Sequence, residues 1–471
     1  MKLTLVALLL VAISATAANA QTSAPADQII TLSGFGQPLP GIQLEAIFGN
    51  TTDLQIFATG QLNFKEVDSL PALGPIFNSR SCGACHFQPA IGGSGEFIQE
   101  VRVRNTTVGG PLHIFASDNI LRLGPQSQGT TTIFANGVEA APLGCQITSP
   151  GCTPSKCQLD EAIRTNFSTS LGICDPTSAS FKGGANCTAE RQSTPLFGFG
   201  LVEAVADQTL LSIASDEPAP IQGIAKMVTE VGTPTPPPRV GRFGWKDDHA
   251  TLRGFSGDAY LNEIGITNPD HPAELSTCAS NQKQFGVLLD DPTDDPEDAT
   301  DNGGRGRADI DRFADFMRAL SPPPTIEQSS SAKNGGALFN QMGCNGCHLP
   351  SLTTASNPAF FIPPTTGGVP ITGSLNFILA SRTFHPYSDF LLHSMGSLGD
   401  GITSGTASPT MIRTAPLWGV RAKSRLLHDG RADDLPTAIS LHDGQGLPAA
   451  EQFEGLSTSQ QQDVVNFLDT L

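Results

Sequence analysis

The chain has 471 residues, a formal charge of −18, and only 15% charged and 6% aromatic side chains. It is too apolar for a disordered chain, long enough for more than one domain, and too acidic to bind nucleic acid or anionic lipid. With 49 glycines and 36 prolines it reads as a loop-rich globular protein.

Residues 1–20 have the form of a secretory signal. Lys2 gives a positive start, "LTLVALLLVAIS" an apolar stretch, and Ala18-Asn19-Ala20 a small-residue cleavage site. A periplasmic or secreted protein follows, with a charge of −19 once Lys2 is removed. No later stretch is long and apolar enough to span a membrane. Residues 21–96 lead to "FNSRSCGACHFQP" at 77–89. Residues 97–240 alternate short apolar runs with turn signals, as in "EFIQEVRVRN" and "TTTIFANG", which predicts a loop-rich, partly β insertion. Strands should be few and mostly confined to it. Cys145, Cys152, Cys157, Cys174 and Cys187 crowd into this stretch. With Cys278 they make an even set, which in an exported chain predicts up to three disulfides of unreadable pairing. The stretch closes with the Pro-rich "GTPTPPPRVG".

Helical patterning returns over 241–326. "ADIDRFADFMRAL" puts Ile310, Phe313, Phe316, Met317 and Leu320 on one face, and "SPPP" stops the helix. Just before it, carboxylates at 290, 291, 294, 295, 297, 298 and 301 form either a solvated acidic loop or an oxygen-rich Ca2+ site; the spacing is not that of an EF-hand. The block 327–471 carries "FNQMGCNGCHLP" at 339–350. It ends in "STSQQQDVVNFLDTL", with a Ser/Thr cap and Val464, Val465, Phe467 and Leu468 for packing. The two halves, 21–326 and 327–471, therefore share a plan of Cys cluster, loops and closing amphipathic helix.

The repeated cluster is C-x-x-C-H. In c-type haem attachment two thiols bond the two vinyl groups of one porphyrin and the adjacent histidine reaches the iron. By chance, about 0.004 such patterns are expected in a chain of this composition. A zinc site would want two C-x-x-C pairs or nearby His partners, and a thioredoxin-like pair needs no following His. The residues point to two covalently bound haem c groups, on Cys82, Cys85 and His86 and on Cys344, Cys347 and His348.

"RTAPLWGVRAKSRLLHDGRADDLPTAISLHDG", 413–444, resembles the C-terminal segment of bacterial di-haem cytochrome c peroxidases and the methylamine-utilisation di-haem enzymes. In that family a distal ligand of the C-terminal haem follows the turn histidine by fourteen residues. The turn histidine here is His428, and His442 stands at the ligand position, where the family has Met or Tyr. "GRFGWKDDHATLRGFSGDAYLNEIGITNPD", 241–270, is similar to the segment in which a Trp lies between the haems and a Glu stands over the active one. Trp245 and Glu263 match those places, against plain readings as a core residue and a helix-surface residue. Together with "IFNSRSCGACH", "YSDFLLHSMG" and "LLHDGRA", these segments resemble a di-haem oxidoreductase-like subgroup, often labelled predicted thiol oxidoreductases. In "YSDFLLHSMG", His393 or Met395 could approach a haem edge or iron, with Met395 the reserve distal ligand.

The resemblance implies a mainly α fold of two cytochrome c-like haem domains, with the insertion in the first. It implies a peroxidase-like oxidoreductase that reduces peroxide or another small oxidant at the His86 haem. Electrons would come from a soluble redox partner through the His348 haem, with Glu263 as acid–base group and Trp245 on the path. The alternative is a pure electron-transfer cytochrome with both irons six-coordinate.

Overall fold

The computed structural model describes residues 35–39, 46–48, 51–68, 81–95, 100–104, 120–123, 134–135, 138–139, 172–173, 187–231, 237–271, 283–284, 287–288, 308–358 and 378–471. Residues 1–20, the 290–301 acidic stretch and the side chains of Cys145, Cys152, Cys157, Cys174, Cys187 and Cys278 lie outside them. The helices are α1 (Asp53–Lys65), α2 (Cys82–Cys85), α3 (Phe199–Glu203), α4 (Asp207–Asp216), α5 (Leu252–Ala259), α6 (Asp309–Ala319), α7 (Ser330–Gln341), α8 (Leu435–Ser440), α9 (Leu447–Glu454) and α10 (Thr458–Leu468). The described residues are thus mainly helical, and no described helix is long and apolar enough to cross a membrane.

Two helix pairs organise the protein, and each sits beside a Cys cluster. α1 packs on α6, and α7 packs on α10. Both contacts close at a glycine. A methyl group on Gly60 of α1 would lie 2.6 Å from the Arg312 carbonyl oxygen of α6, and one on Gly335 of α7 only 1.8 Å from the Asp463 oxygen of α10. Any side chain there would force the axes apart. Around the first crossing, Phe64 meets Phe313 and Phe316 with ring centres 6.2 and 5.1 Å apart. Around the second, Phe339 meets Phe467 at 5.3 Å. Ile310, Phe313, Phe316, Met317 and Leu320 are all buried, as the helical spacing predicts. Each such side chain contributes about 1.5–3 kcal/mol by leaving water.

Local signals set the helix ends. The Ser329 hydroxyl accepts from the Ala332 N–H at the start of α7. Ser457 caps α10 in a reciprocal box with Gln460. After Ala319 the chain leaves the helix at Leu320 and runs into the prolines.

The largest sheet lies in the predicted insertion: β1 (Glu100–Arg104), β2 (Ile120–Leu123), β3 (Gly172–Ile173) and β4 (Cys187–Arg191), in the order β2-β1-β4-β3. Strands are not confined to it, contrary to the sequence expectation. β5 (Leu392–Ser394) pairs antiparallel with β6 (Met411–Arg413), setting Leu392 opposite Arg413, and other two-stranded pairs occur in both halves. β5 and β6 run through largely buried surroundings, where backbone N–H and C=O groups must pair with each other.

Candidate functional site: two cavities with a common wall

The second cluster starts where α7 stops. Gly343, at φ +82°, turns the chain into a tight turn over Cys344–Gly346, and the His348 N–H bonds back to the Cys344 oxygen at 2.9 Å. His348 Nδ1 lies 3.0 Å from the Tyr387 carbonyl oxygen. A carbonyl only accepts, so the proton sits on Nδ1 and Nε2 is the bare nitrogen. His442, just past α8, repeats the device, with Nδ1 2.8 Å from the Ala438 oxygen. The two rings face one another across an open cavity of about 1370 Å³, with centres 6.5 Å apart.

Burial, and then the neighbouring His442, push His348 down to about 4. Burial also lowers His442. Both are therefore neutral near pH 7, the form that binds a metal. One metal bonded to both rings at about 2 Å per nitrogen would hold their centres about 6 Å apart. At that spacing His348 and His442 would be able to hold one haem iron between them.

The rest of the wall fits a haem as well. Leu426, Val464 and Leu468 supply apolar surface, while Arg413 and Lys423 supply cations. Burial lowers both, and Lys423 is pushed down to about 8 by burial and by Arg413. These cations suit the carboxylate arms of a porphyrin. Met395 lines the same cavity near His442: a methyl on Gly446 would lie 3.1 Å from the Cβ of His442 and 3.1 Å from the Cε of Met395.

His393 has both ring nitrogens engaged, one 3.1 Å from Asp389 Oδ2 and the other 3.7 Å from Cys347 Sγ. Burial opposes its charge, but Asp389 and Cys347 outweigh it and raise it to about 11. It stands at the cluster's edge, held between Asp389 and Cys347. His428 is buried and pushed down to about 4 by burial, and its ring packs edge-on to Trp245 at 6.2 Å.

The first cluster uses the same parts. α2 carries Cys82 and Cys85, and His86 Nδ1 lies 3.0 Å from the Gly93 oxygen. The Ser193 hydroxyl donates to the Cys85 oxygen at 2.6 Å. An open cavity of about 900 Å³ is lined by Cys82, Cys85, His86, Phe64, Gln192, Trp245, Tyr260, Glu263, Phe313 and Met317, among others. His86 is its one histidine among the described residues. The half-buried Glu263 comes from a π-helical turn, Tyr260–Ile264, that continues α5. Such wide turns are rare and concentrate at functional sites.

Neither cysteine pair is a disulfide. Burial raises Cys82 and Cys347, and pushes Cys344 up to about 11. Reactive C-x-x-C dithiols have depressed values, the opposite direction from these three thiols. Among the described residues one cluster of metal-ligand type, Cys347, Asp389 and His393, stands at the second motif.

Trp245 lines both cavities. It is 6% exposed, its indole N–H donates to the Gln192 oxygen at 2.8 Å, and the Arg413 guanidinium lies 5.8 Å from its ring centre. The structure thus gathers Cys82, Cys85, His86, Trp245 and Glu263 around one cavity. Around the other it gathers Cys344, Cys347, His348, His442, Met395 and Trp245. Sequence reasoning quoted Arg413 and Lys423 in a motif without giving them a role, and it passed over Gln192 altogether. Nothing in the local pattern distinguishes these residues from surface polar ones.

Comparison with known proteins agrees. No curated protein matches the chain. A structure described as Kuenenia stuttgartiensis hydrazine synthase pressurized with 20 bar xenon aligns at 18% identity and a TM-score of 0.23, over 35% of this chain and 55% of that one. The family described as "Di-haem oxidoreductase, putative peroxidase" matches residues 178–471, which take in the wall residues Gln192 and Trp245, Glu263 and the whole second cavity. The chain belongs to this di-haem oxidoreductase family.

Proposed function

We propose that the protein is an exported di-haem c-type cytochrome that reduces peroxide, or a related small oxidant, in the first cavity with electrons supplied through the second. In this reading each half is a cytochrome c-like domain. Cys82 and Cys85 hold one haem with His86 on its iron. Cys344 and Cys347 hold the other, between His348 and His442. The support is the repeated helix pair beside each C-x-x-C-H cluster. When bound, the two haems supply one-electron exchange.

The observation that carries the reading is the asymmetry across Trp245. The second cavity offers two facing neutral imidazoles, which leave no place for a substrate. The first offers one imidazole and a carboxyl, Glu263. A carboxyl there would move a proton from one oxygen of a peroxide to the other, so that O–O cleavage releases one water, while two electrons and two further protons take the remaining oxygen to a second water. The apolar lining around it strengthens each polar contact within. Trp245 holds a fixed aromatic ring in the common wall, and the electron path between the sites passes through or beside it. Arg413 and Lys423 bind and orient the carboxylates of the second haem.

Resting-state EPR with peroxide stopped-flow tests this. One high-spin and one low-spin ferric signal, with a fast spectral change on mixing, is the expected result. Two low-spin signals and no reaction would make the protein a pure electron carrier, with Met317 in the first cavity the residue to examine as a second ligand.

A further inference from the structure

Two side chains able to bind iron share a wall of the second cavity, His442 and Met395. They arrive on separate turns. Met395 follows β5 and leads into the turn Gly396–Leu398, while His442 leads into the turn Gly444–Gly446. The two turns lie backbone against backbone. A methyl group on Gly444, at φ +58°, would lie 2.3 Å from the Ser394 oxygen, and one on Gly396, at φ +54°, would lie 2.5 Å from Asp443 Oδ2. Between the two candidate ligands stands Gly446, where a methyl group would lie 3.1 Å from His442 Cδ2 and 3.1 Å from Met395 Cε. The thioether is thus within a side chain's reach of the imidazole.

Hydrogen bonds fix the register of one turn on the other. Asp443 Oδ2 accepts from the Ser397 N–H at 2.8 Å and from the Ser397 hydroxyl at 2.6 Å. Gln445 Oε1 accepts from the Ser394 N–H at 2.7 Å, and its Nε2 donates to the Gln222 oxygen at 3.0 Å. Asp443 and Gln445 therefore grip the chain on either side of Met395. In this register the His442 ring faces His348.

We infer that Asp443 and Gln445 are positioning residues that select His442 over Met395 as the distal ligand of the second haem. This rests on the proposal that a haem is held there with His348 on its iron. The selection has a chemical consequence. A thioether is a softer ligand than imidazole and raises the potential of a haem iron by favouring the ferrous form. By locking the turns, the two side chains keep the second haem at the lower potential of an imidazole pair.

The test is Asp443→Ala combined with Gln445→Ala in the full-length haem-loaded protein. It is read by the midpoint potential of each haem and by the thioether-to-iron charge-transfer band. Haem content and the spectrum of the unaltered protein test the parent reading separately, and a thioether band of the second haem there would overturn both. In the double variant the band should appear. The second-haem equilibrium should shift about tenfold toward the ferrous form, about 59 mV for one electron, and the first haem should stay put. Adding Met395→Leu should abolish the band and restore the midpoint, which a merely loosened fold would not do. An unchanged band and midpoint, or a change that survives Met395→Leu, would overturn the inference. If the double variant does not accumulate, Gln445→Ala alone should give the same changes at smaller amplitude, and no change in it would be equally fatal.

Discussion

The two cavities share nearly the same proximal side and differ on the opposite one. In each, a C-x-x-C-H cluster stands beside a helix pair crossing at a glycine, and a backbone carbonyl engages the histidine Nδ1. Across from it, the second cavity has His442, tied to Ala438, while the first has Glu263 on a π-helical turn. In the proposed reading the shared motif fixes where a haem attaches. What the iron can do is set by a distant residue of another element. Imidazole closes a coordination place, and a carboxyl leaves one open and supplies a proton carrier.

The sharpest way to break this contrast is Glu263→Gln. It keeps the shape of the first cavity but removes the proton carrier. Peroxide turnover should fall by about 10²- to 10⁴-fold with both haem spectra unchanged. Retained turnover would return Glu263 to the helix surface.

His442→Ala tests the other side. It should convert the low-spin signal of the second haem alone and change that haem's potential. If the signal instead stays low-spin with a thioether signature, Met395 is the ligand that replaces it.

A smaller effect separates the two helix crossings. Gly335→Ala drives a methyl group to 1.8 Å from a carbonyl oxygen, whereas Gly60→Ala brings it to 2.6 Å. Both should destabilise, in the range of about 1–3 kcal/mol for overpacking, with Gly335 the worse, as thermal unfolding would show. An equal or reversed order would mean that the second crossing yields more readily.

The smallest effect concerns His249, which lies between Glu230 at 3.5 Å and Asp258 at 3.4 Å. Burial disfavours its charge, but the two carboxylates outweigh this and raise it from 6.5 to about 10. A raised value means that the folded state binds the proton more tightly. Its contribution is complete below about pH 6.5 and drains away as pH rises through about 10. The thermal midpoint should drop over that window, and His249→Gln should flatten the drop. An unchanged slope would show that the pair contributes nothing there.

Much of this was legible because it is local. C-x-x-C-H spacing is dictated by two vinyl groups and one iron. The 3.6-residue period marked the helices Asp309–Ala319 and Thr458–Leu468, and a serine marked the start of the second. His442 and Glu263 were reached by resemblance to a family, and the structure puts each in a cavity with a Cys cluster. Strand pairing outside the insertion was not legible, because a two-residue strand has no period to detect. Nor was the contact of His393 with Cys347, which reaches it from another segment while Asp389 holds its second ring nitrogen.

By itself, the sequence determined that there are two C-x-x-C-H clusters, where they lie and which histidine follows each. Short-range covalent chemistry leaves little freedom there. Tertiary structure alone decided that His442 faces His348 and that Trp245 belongs to both cavities. Each of these depends on residues far apart along the chain meeting out of water. There a facing imidazole has a chemical consequence that it would lack at the surface.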